Sequence, residues 1–454
     1  MDNREDSFAQ RLTRFARVSA GLTGVAARGA ARSLNGTGFI TAENAADLTN
    51  VLGNLRGPVM KVAQFMATFP GLMPPDVAAP LLTLQTNAPP MGPAFVRRRM
   101  QAELGAQWEH KFRRFNREAA AAASLGQVHR AVAKDGRSLA CKLQYPSMDA
   151  AVRSDVRQLK GALKLQRGLD PTIDTREIAE EIAARLTEEL DYRREAAHMQ
   201  LYGIMFADTP EIAVPQPIAA LSTKRLLTMT WLEGRPILEM TEASQRARNK
   251  AAAALFKAWW RPFAHYGVIH GDPHLGNYTV RADGGINLLD YGCVRTFAPS
   301  FVEGVIGLYR ALQKKDDAMA ANSYRAWGFE RLTPAMVDAL NLWARFIFTP
   351  LLDDRVRLVD DGVPAAEYGL RQANDVHARL KQLGGVRPPR EFVFMDRAAI
   401  GLGGALIRLG ARLNFHQLFE QEIVDFDRET LATRQRTAFK QAGVPLPDIM
   451  ASSG

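Results

Sequence analysis

The 454 residues carry 58 Lys+Arg against 48 Asp+Glu, a formal charge of +10, and 47% of them are hydrophobic. That composition excludes a disordered, collagenous or low-complexity protein. A chain this long predicts two or three structural units, each with a core that needs no staples. Only two cysteines are present, Cys141 and Cys293, which excludes a disulfide framework and fits a reducing compartment. The eight histidines show no Cys/His cluster at zinc spacing. The basic excess comes without an RNA- or DNA-binding motif, so no nucleic-acid partner is expected.

The N-terminus lacks the apolar core of a secretory signal. Phe8, Leu12, Phe15, Val18 and Leu22 recur at helical spacing among Arg4, Arg11, Arg14 and Arg17. This predicts an amphipathic helix that packs, or lies on a membrane surface or partner. Asp2, Glu5 and Asp6 argue against a transit peptide. Residues 1–108 read as a helical extension broken at Gly57-Pro58, Pro70-Gly71, Pro74-Pro75 and the cluster Pro89 to Pro93. No stretch reads as a spanning helix. The nearest, Ala398 to Ile407, is short and bounded by Arg397 and Arg408. The expectation is a cytoplasmic protein with peripheral contact to the inner membrane.

From about residue 109 the pattern becomes strand-rich. Val128 to Ala133 and Ser138 to Gln144 flank the turn Lys134-Asp135-Gly136-Arg137. Residues 175 to about 206 predict one long helix, with Asp174 and Glu177 at capping-box spacing and an apolar stripe at Ile178, Ile182, Leu186 and Leu190. Val214 to Ile218 and Leu226 to Trp231 read as further strands. Beyond Gly234 the chain reads as helical, except for a hairpin of Tyr278 to Val280 and Ile286 to Leu289 about Ala282-Asp283-Gly284-Gly285. A strand-rich lobe (109–233) preceding a helical lobe (234–454) is an α+β arrangement.

Chemistry concentrates in His270-Gly271-Asp272-Pro273-His274-Leu275-Gly276-Asn277, followed after the hairpin by Asp290-Tyr291-Gly292. Taken singly these are loop acids and a cap. Together they have the spacing of a kinase catalytic loop and its metal-binding triplet. Phosphoryl transfer requires positioning and neutralisation of a triphosphate. Asn277 and Asp290 are hard oxygen donors suited to Mg²⁺, and Asp272 stands where a proton acceptor orients the attacking hydroxyl. His270 and His274 are expected to hydrogen-bond within the loop rather than to bind metal, and both cysteines to be buried small residues.

Lys142, on the second strand of the small lobe, can reach nucleotide phosphates if a helix carboxylate holds it. Glu188, Asp191 and Glu195 share one face of an ideal helix and repel one another, so a cation is expected opposite, and Lys142 with Glu195 is the pair chosen. Before the strands stands Ala119 to Ala123, then Ser124-Leu125-Gly126-Gln127-Val128-His129. Propensity alone reads five alanines as a helix start. Their position reads them as a phosphate loop with alanines in place of glycines, so Ala121, Ala122, Ala123 and Ser124 join Lys142 as candidate nucleotide contacts.

This ordered set resembles the UbiB family of atypical kinases, also called aarF-domain kinases. The Ala-rich run, Lys142, Glu189-Leu190-Asp191-Tyr192-Arg193-Arg194-Glu195-Ala196, the Asp272 loop and Asp290-Tyr291-Gly292 carry the resemblance. So does Lys61-Val62-Ala63-Gln64, close to the family's K-x-G-Q hallmark with Ala63 in place of its glycine. The resemblance spans roughly residues 10 to 430. It implies a bilobal protein-kinase-like fold with an N-terminal extension over the active site, from which Lys61 and Gln64 reach in opposite Glu189 and Asp191. On an ideal helix those two acids stand about 200° apart, so both face Lys61 only if the helix is distorted. The resemblance also implies ATP or ADP with Mg²⁺, ATPase activity rather than protein phosphorylation, and support of ubiquinone or other isoprenoid-lipid synthesis alongside its enzymes. Many members end in paired membrane spans, and none is expected from these residues. Two other readings compete: a small-molecule phosphotransferase of the aminoglycoside or choline type, which shares the H-G-D-x-H-x-x-N loop, and a non-catalytic lipid-binding scaffold on a kinase fold.

Overall fold

A computed structural model describes residues 91–361, apart from 124, 147, 151, 154–155, 158–186 and 330–331, together with 379, 382–383 and 390–447. The amphipathic segment Phe8 to Leu22, Lys61, Gln64 and Ser124 therefore lie outside the described residues. The chain divides into two compact units. One holds the chain up to Tyr192 plus Ala219–Thr228, and the other Arg193–Ile218 plus Met229 onward.

In the first unit, α1 (Pro93–Leu104) starts at the predicted Pro-rich break, with Pro at its first turn, where the missing N–H costs nothing. Val96 and Met100, one turn apart, are its buried residues. A four-stranded sheet follows in the order β1-β2-β3-β5: β1 (Phe112–Ala123), β2 (Gly126–Ala133), β3 (Ser138–Gln144) and β5 (Leu226–Thr230). The β2–β3 hairpin turns where the sequence places it. Gly136 takes φ +91°, and the Asp135 carboxylate accepts from Arg137 N–H at 3.0 Å. Gly126 is required for another reason. A Cβ there would sit 2.3 Å from the Leu143 carbonyl oxygen.

Two sequence expectations change in this unit. Ala119 to Ala123 are neither helix nor loop but the end of β1, paired through Ala121↔Val128, Ala122↔Gln127 and Ala123↔Gly126, with register shifts upstream. Alanine is a poor strand former; here pairing with β2 overrides propensity. The long helix is also interrupted. Thr187 and Glu188 are helical, Glu189 and Leu190 form a turn, Asp191 is irregular, and a new helix begins at Tyr192. The Leu190 and Asp191 N–H groups donate to Thr187 and Glu188 carbonyls at 3.2 and 3.1 Å, and Tyr192 N–H leaves the helical ladder to donate to Lys224 at 3.0 Å.

The second unit contains most of α2 (Tyr192–Met205) and a sheet of order β4-β9-β8-β6. Its strands are β4 (Ile212–Ala213), β6 (Arg235–Pro236), β8 (Tyr278–Val280) and β9 (Ile286–Leu288). No strand forms over the expected Val214 to Ile218: β4 ends before it, at Ala213, and an isolated Pro217↔Met229 bridge stands in its place, because Pro215 and Pro217 have no N–H to donate. The long α3 (Gln245–Tyr266) is capped by the Ser244 side chain and ends at Gly267 with φ +64°. It buries Trp259, Trp260 and Phe263. Behind it, β7 (Val268–His270) pairs antiparallel with β10 (Val294–Thr296), a ribbon too short to carry a periodic signal in the sequence. The remaining elements are α4 (Pro299–Lys314), α5 (Asp317–Ala326), α6 (Pro334–Leu352), α7 (Arg390–Leu409), α8 (Phe415–Ile423) and α9 (Arg428–Ala442).

Ala398 to Ile407 is part of α7. A different helix, α6, is the one among the described residues long and apolar enough to cross a membrane, with 19 residues, mean hydropathy 1.2 and 44% of it buried. Asp338 and Arg345 interrupt its apolar run, and it packs against α4, α5, α7 and α8. A sheet-based unit and a helix-rich unit together form the α+β, kinase-like fold expected from the sequence.

Candidate nucleotide and metal site

In the second unit the loop after β7 and the segment after β9 are joined through one imidazole. His270 is 3% exposed. Its Nδ1 accepts from Asp272 N–H at 3.2 Å, which leaves Nε2 as the protonated nitrogen, donating to the Asp290 carbonyl at 2.8 Å. The ring thus ties Asp272 to Asp290, 18 positions apart in sequence. Asn277 N–H donates to His274 C=O at 2.9 Å, and Leu289 N–H donates to Asn277 C=O at 3.0 Å. The Asn277 side-chain Nδ2 donates to the Asp272 carbonyl at 3.1 Å. That bond fixes the orientation of the amide within the loop. Asp290 Oδ1 accepts from Gly292 N–H at 2.9 Å. His274 is exposed and accepts from Gly276 N–H at 3.0 Å within its own turn.

The two acids share an electrostatic environment. The Tyr278 phenol, fully buried at the start of β8, is pushed well above its ordinary value by burial, and the negative charges of Asp272 and Asp290 add to that shift. Among the described residues no three His, Cys, Asp or Glu side chains converge as a metal cage. The Asp290 carboxylate and the Asn277 amide oxygen are nevertheless hard oxygen donors of the kind Mg²⁺ uses when substrate phosphates and water complete its shell.

Sequence reasoning missed His198. It lies on α2, 8% exposed, and its Nδ1 donates to the Tyr291 carbonyl at 3.2 Å, next to Asp290. Burial, chiefly, pulls it down to about 4. Tyr202 on the same helix packs edge-on against Tyr291, ring centroids 5.3 Å apart. The i, i+4 spacing of His198 and Tyr202 was the only available signal, and it does not name Tyr291 as partner.

Glu195 stands in the first turn of α2 and is 4% exposed. In the first unit, Lys142 lies on β3 opposite Val128 and is 6% exposed. Its ammonium is 5.4 Å from the centre of the Tyr192 ring, within cation–π range. Lys142, Glu188, Glu189, Asp191 and Glu195 each make further polar or electrostatic contacts. Glu189 and Asp191 stand on the break before α2 and not on a continuous helix, so ideal-helix angles do not set their directions. Ala121 and Ala122 are exposed on β1 and Ala123 is half-exposed. Their lack of side-chain bulk leaves the strand backbone open to approach.

The two units and the His270-locked loop define a protein of the kinase-like class. The sequence matches the ABC1 atypical kinase-like domain over residues 83–324, more than half of its length. The chain belongs to that family. It is similar to the mitochondrial atypical kinase COQ8B of Rattus norvegicus, 30% identical over 280 residues, which covers 61% of this chain and 53% of that protein. It is also similar to AarF domain-containing protein kinase 1 of Xenopus laevis, 31% identical over 268 residues, covering 58% and 52%. It spans about half the length of the curated relatives it matches. Among solved structures, the complex of Rv3197 with erythromycin from Mycobacterium tuberculosis matches with a TM-score of 0.60 and 26% identity, over 84% of this chain and 96% of that one.

Proposed function

We propose that the chain binds Mg²⁺–nucleotide and acts as an atypical kinase or ATPase in support of isoprenoid-quinone synthesis. The observation that carries the nucleotide reading is the His270 tie, which holds the Asp272 loop and Asp290 as one hydrogen-bonded body. Asp290 and Asn277 would hold Mg²⁺. The ion, when bound, neutralises charge developing on the phosphoryl group. Asp272 would orient the attacking hydroxyl or water and accept its proton. Lys142 takes the phosphate-lysine role and Glu195 the helix-glutamate role, with the Ala121–Ala123 strand end and Ser124 against the nucleotide. Lys61 and Gln64, with Glu189 and Asp191, form the regulatory set of the extension. The functional division into 1–108, 109–233 and 234–454 is part of this proposal. The link to ubiquinone rests on family resemblance.

Thermal melts with ATP or ADP, with and without Mg²⁺, test the site. At about 100 times the dissociation constant a ligand stabilises a fold by about 2.7 kcal/mol, or roughly 5–11 °C for a unit of this size. The shift is expected for wild type and lost in Asp290→Asn. An equal shift in that variant refutes the assignment. Quinone profiling of a deletion strain tests the pathway. Low ubiquinone restored by wild type but not by Asp290→Asn is expected, and normal quinone refutes the role. Peripheral membrane contact through Phe8 to Leu22 is checked by liposome flotation. Recovery on anionic vesicles should fall with salt as the Debye length shrinks from about 10 Å at 0.1 M to about 3 Å at 1 M, and equal recovery on neutral vesicles refutes it. The erythromycin complex of the solved relative favours a second reading, phosphate transfer to a small organic acceptor. A screen of macrolides, aminoglycosides and choline for phosphorylated product decides it.

A further inference from the structure

Helices α4, α6 and α7, with the inner sides of α3 and the start of α8, enclose a cavity of about 100 Å³ in the helical unit. Trp260, Trp327, Trp343, Phe348 and Leu406 supply much of its wall, and none of the described residues lining it is ionisable. The Trp327 indole N–H is spent on the Phe301 carbonyl at 3.1 Å, so that residue offers an occupant its ring and not its donor. The floor at Trp260 and Trp327 is buried, while Trp343, Val359 and Gly403 at the mouth are half-exposed.

These features select the occupant. A charged or strongly polar group would enter with no partner, which is costly, whereas hydrocarbon gains by leaving water. An apolar cavity of about 150 Å³ holds benzene, so this one, at about 100 Å³, holds about four carbons. Because the cavity is open on one side, a longer chain leaves through the mouth. Elsewhere on the same two helices Ile400 and Leu342 are exposed, at 48% and 36%. We propose that this cavity binds the end of a neutral hydrocarbon chain, prenyl or acyl, held by contact with the aromatic wall. None of the residues lining it belongs to the Asp272 loop or the Asp290 segment, and the proposal stands or falls independently of nucleotide binding.

The full chain is titrated with geraniol and with 1-octanol, each below its solubility limit, while tryptophan emission is followed. Three of the six tryptophans line the cavity, so a saturable change is expected. Gly403→Leu fills the space. A Cβ at Gly403 meets only Val359 Cγ1, at 4.0 Å, so the side chain enters without pushing backbone. The melting temperature should hold or rise, because leucine is the better helix former. Affinity for both alcohols should fall by about tenfold or more as the apolar contact is lost. Ala399→Phe, one turn away on the same face, should do the same. Tighter binding of geraniol identifies a prenyl chain and of octanol an acyl chain, each in support of the site. Absence of a saturable change in wild type, or unaltered affinity in both filled variants, overturns the proposal.

Discussion

Lowering the pH from 7 to 5 should loosen the Asp290 segment through one residue, His198. Its ordinary value is 6.5, and burial, with the nearby charge of Arg194, holds it at about 4 against the opposing hydrogen bond to the Tyr291 carbonyl. At pH 7 the side chain is neutral folded or unfolded and costs nothing. Below pH 6.5 the unfolded chain takes up a proton that the folded chain refuses until about pH 4. The unfolded state then binds more protons, so stability falls with pH across that window. At pH 5 the unfolded imidazole is about 1.5 units below its pKa, and at about 1.36 kcal/mol per unit the cost is about 2 kcal/mol. For a unit of this size that is about 4–8 °C in melting temperature. His198→Asn keeps an amide N–H near the position of Nδ1 and cannot titrate. Melts of both proteins by circular dichroism at pH 7 and pH 5 isolate the residue, since every other titrating group is common to the two. The wild type should lose about 4–8 °C more than the variant on acidification. Equal losses would show that His198 is not held neutral by its surroundings.

Gly126→Ala places a methyl 2.3 Å from the Leu143 carbonyl oxygen. Overpacking costs about 1–3 kcal/mol, and a backbone partner that cannot rotate away puts this case at the upper end. An unchanged urea midpoint would contradict the β2–β3 register. Burial pushes the Cys141 thiol up to about 12, about four decades from thiolate at pH 8. A thiol reagent should leave it unmodified until the first unit unfolds, and rapid labelling in native buffer, located by peptide mapping, would contradict its placement inside the sheet.

The sequence was most informative where the chemistry is local. Asp272, Asn277 and Asp290 lie within about 20 residues, the hairpin between them turns on Asp283, Gly284 and Gly285, and short-range spacing survives folding with little help from elsewhere. The β2–β3 hairpin was legible for the same reason. Alternation and a Gly-containing turn are properties of neighbouring residues. Elsewhere the decision belonged to partners distant in sequence. Ala119 to Ala123 favour a helix by propensity, yet backbone pairing with β2 makes them a strand. The apolar spacing of Ile178, Ile182, Leu186 and Leu190 predicts one continuous helix, yet the Lys224 carbonyl captures the Tyr192 N–H and the ladder breaks. His270 reads as a loop histidine. That it is the strut between Asp272 and Asp290 emerges only when β10 pairs with β7 and brings the Asp290 segment beside the loop. His198 is ordinary in the sequence, and its burial against Tyr291 sets its titration. Spacing is written in the chain because covalent geometry enforces it. Burial and long-range hydrogen bonding are not, because they depend on which surfaces meet once the chain has closed on itself.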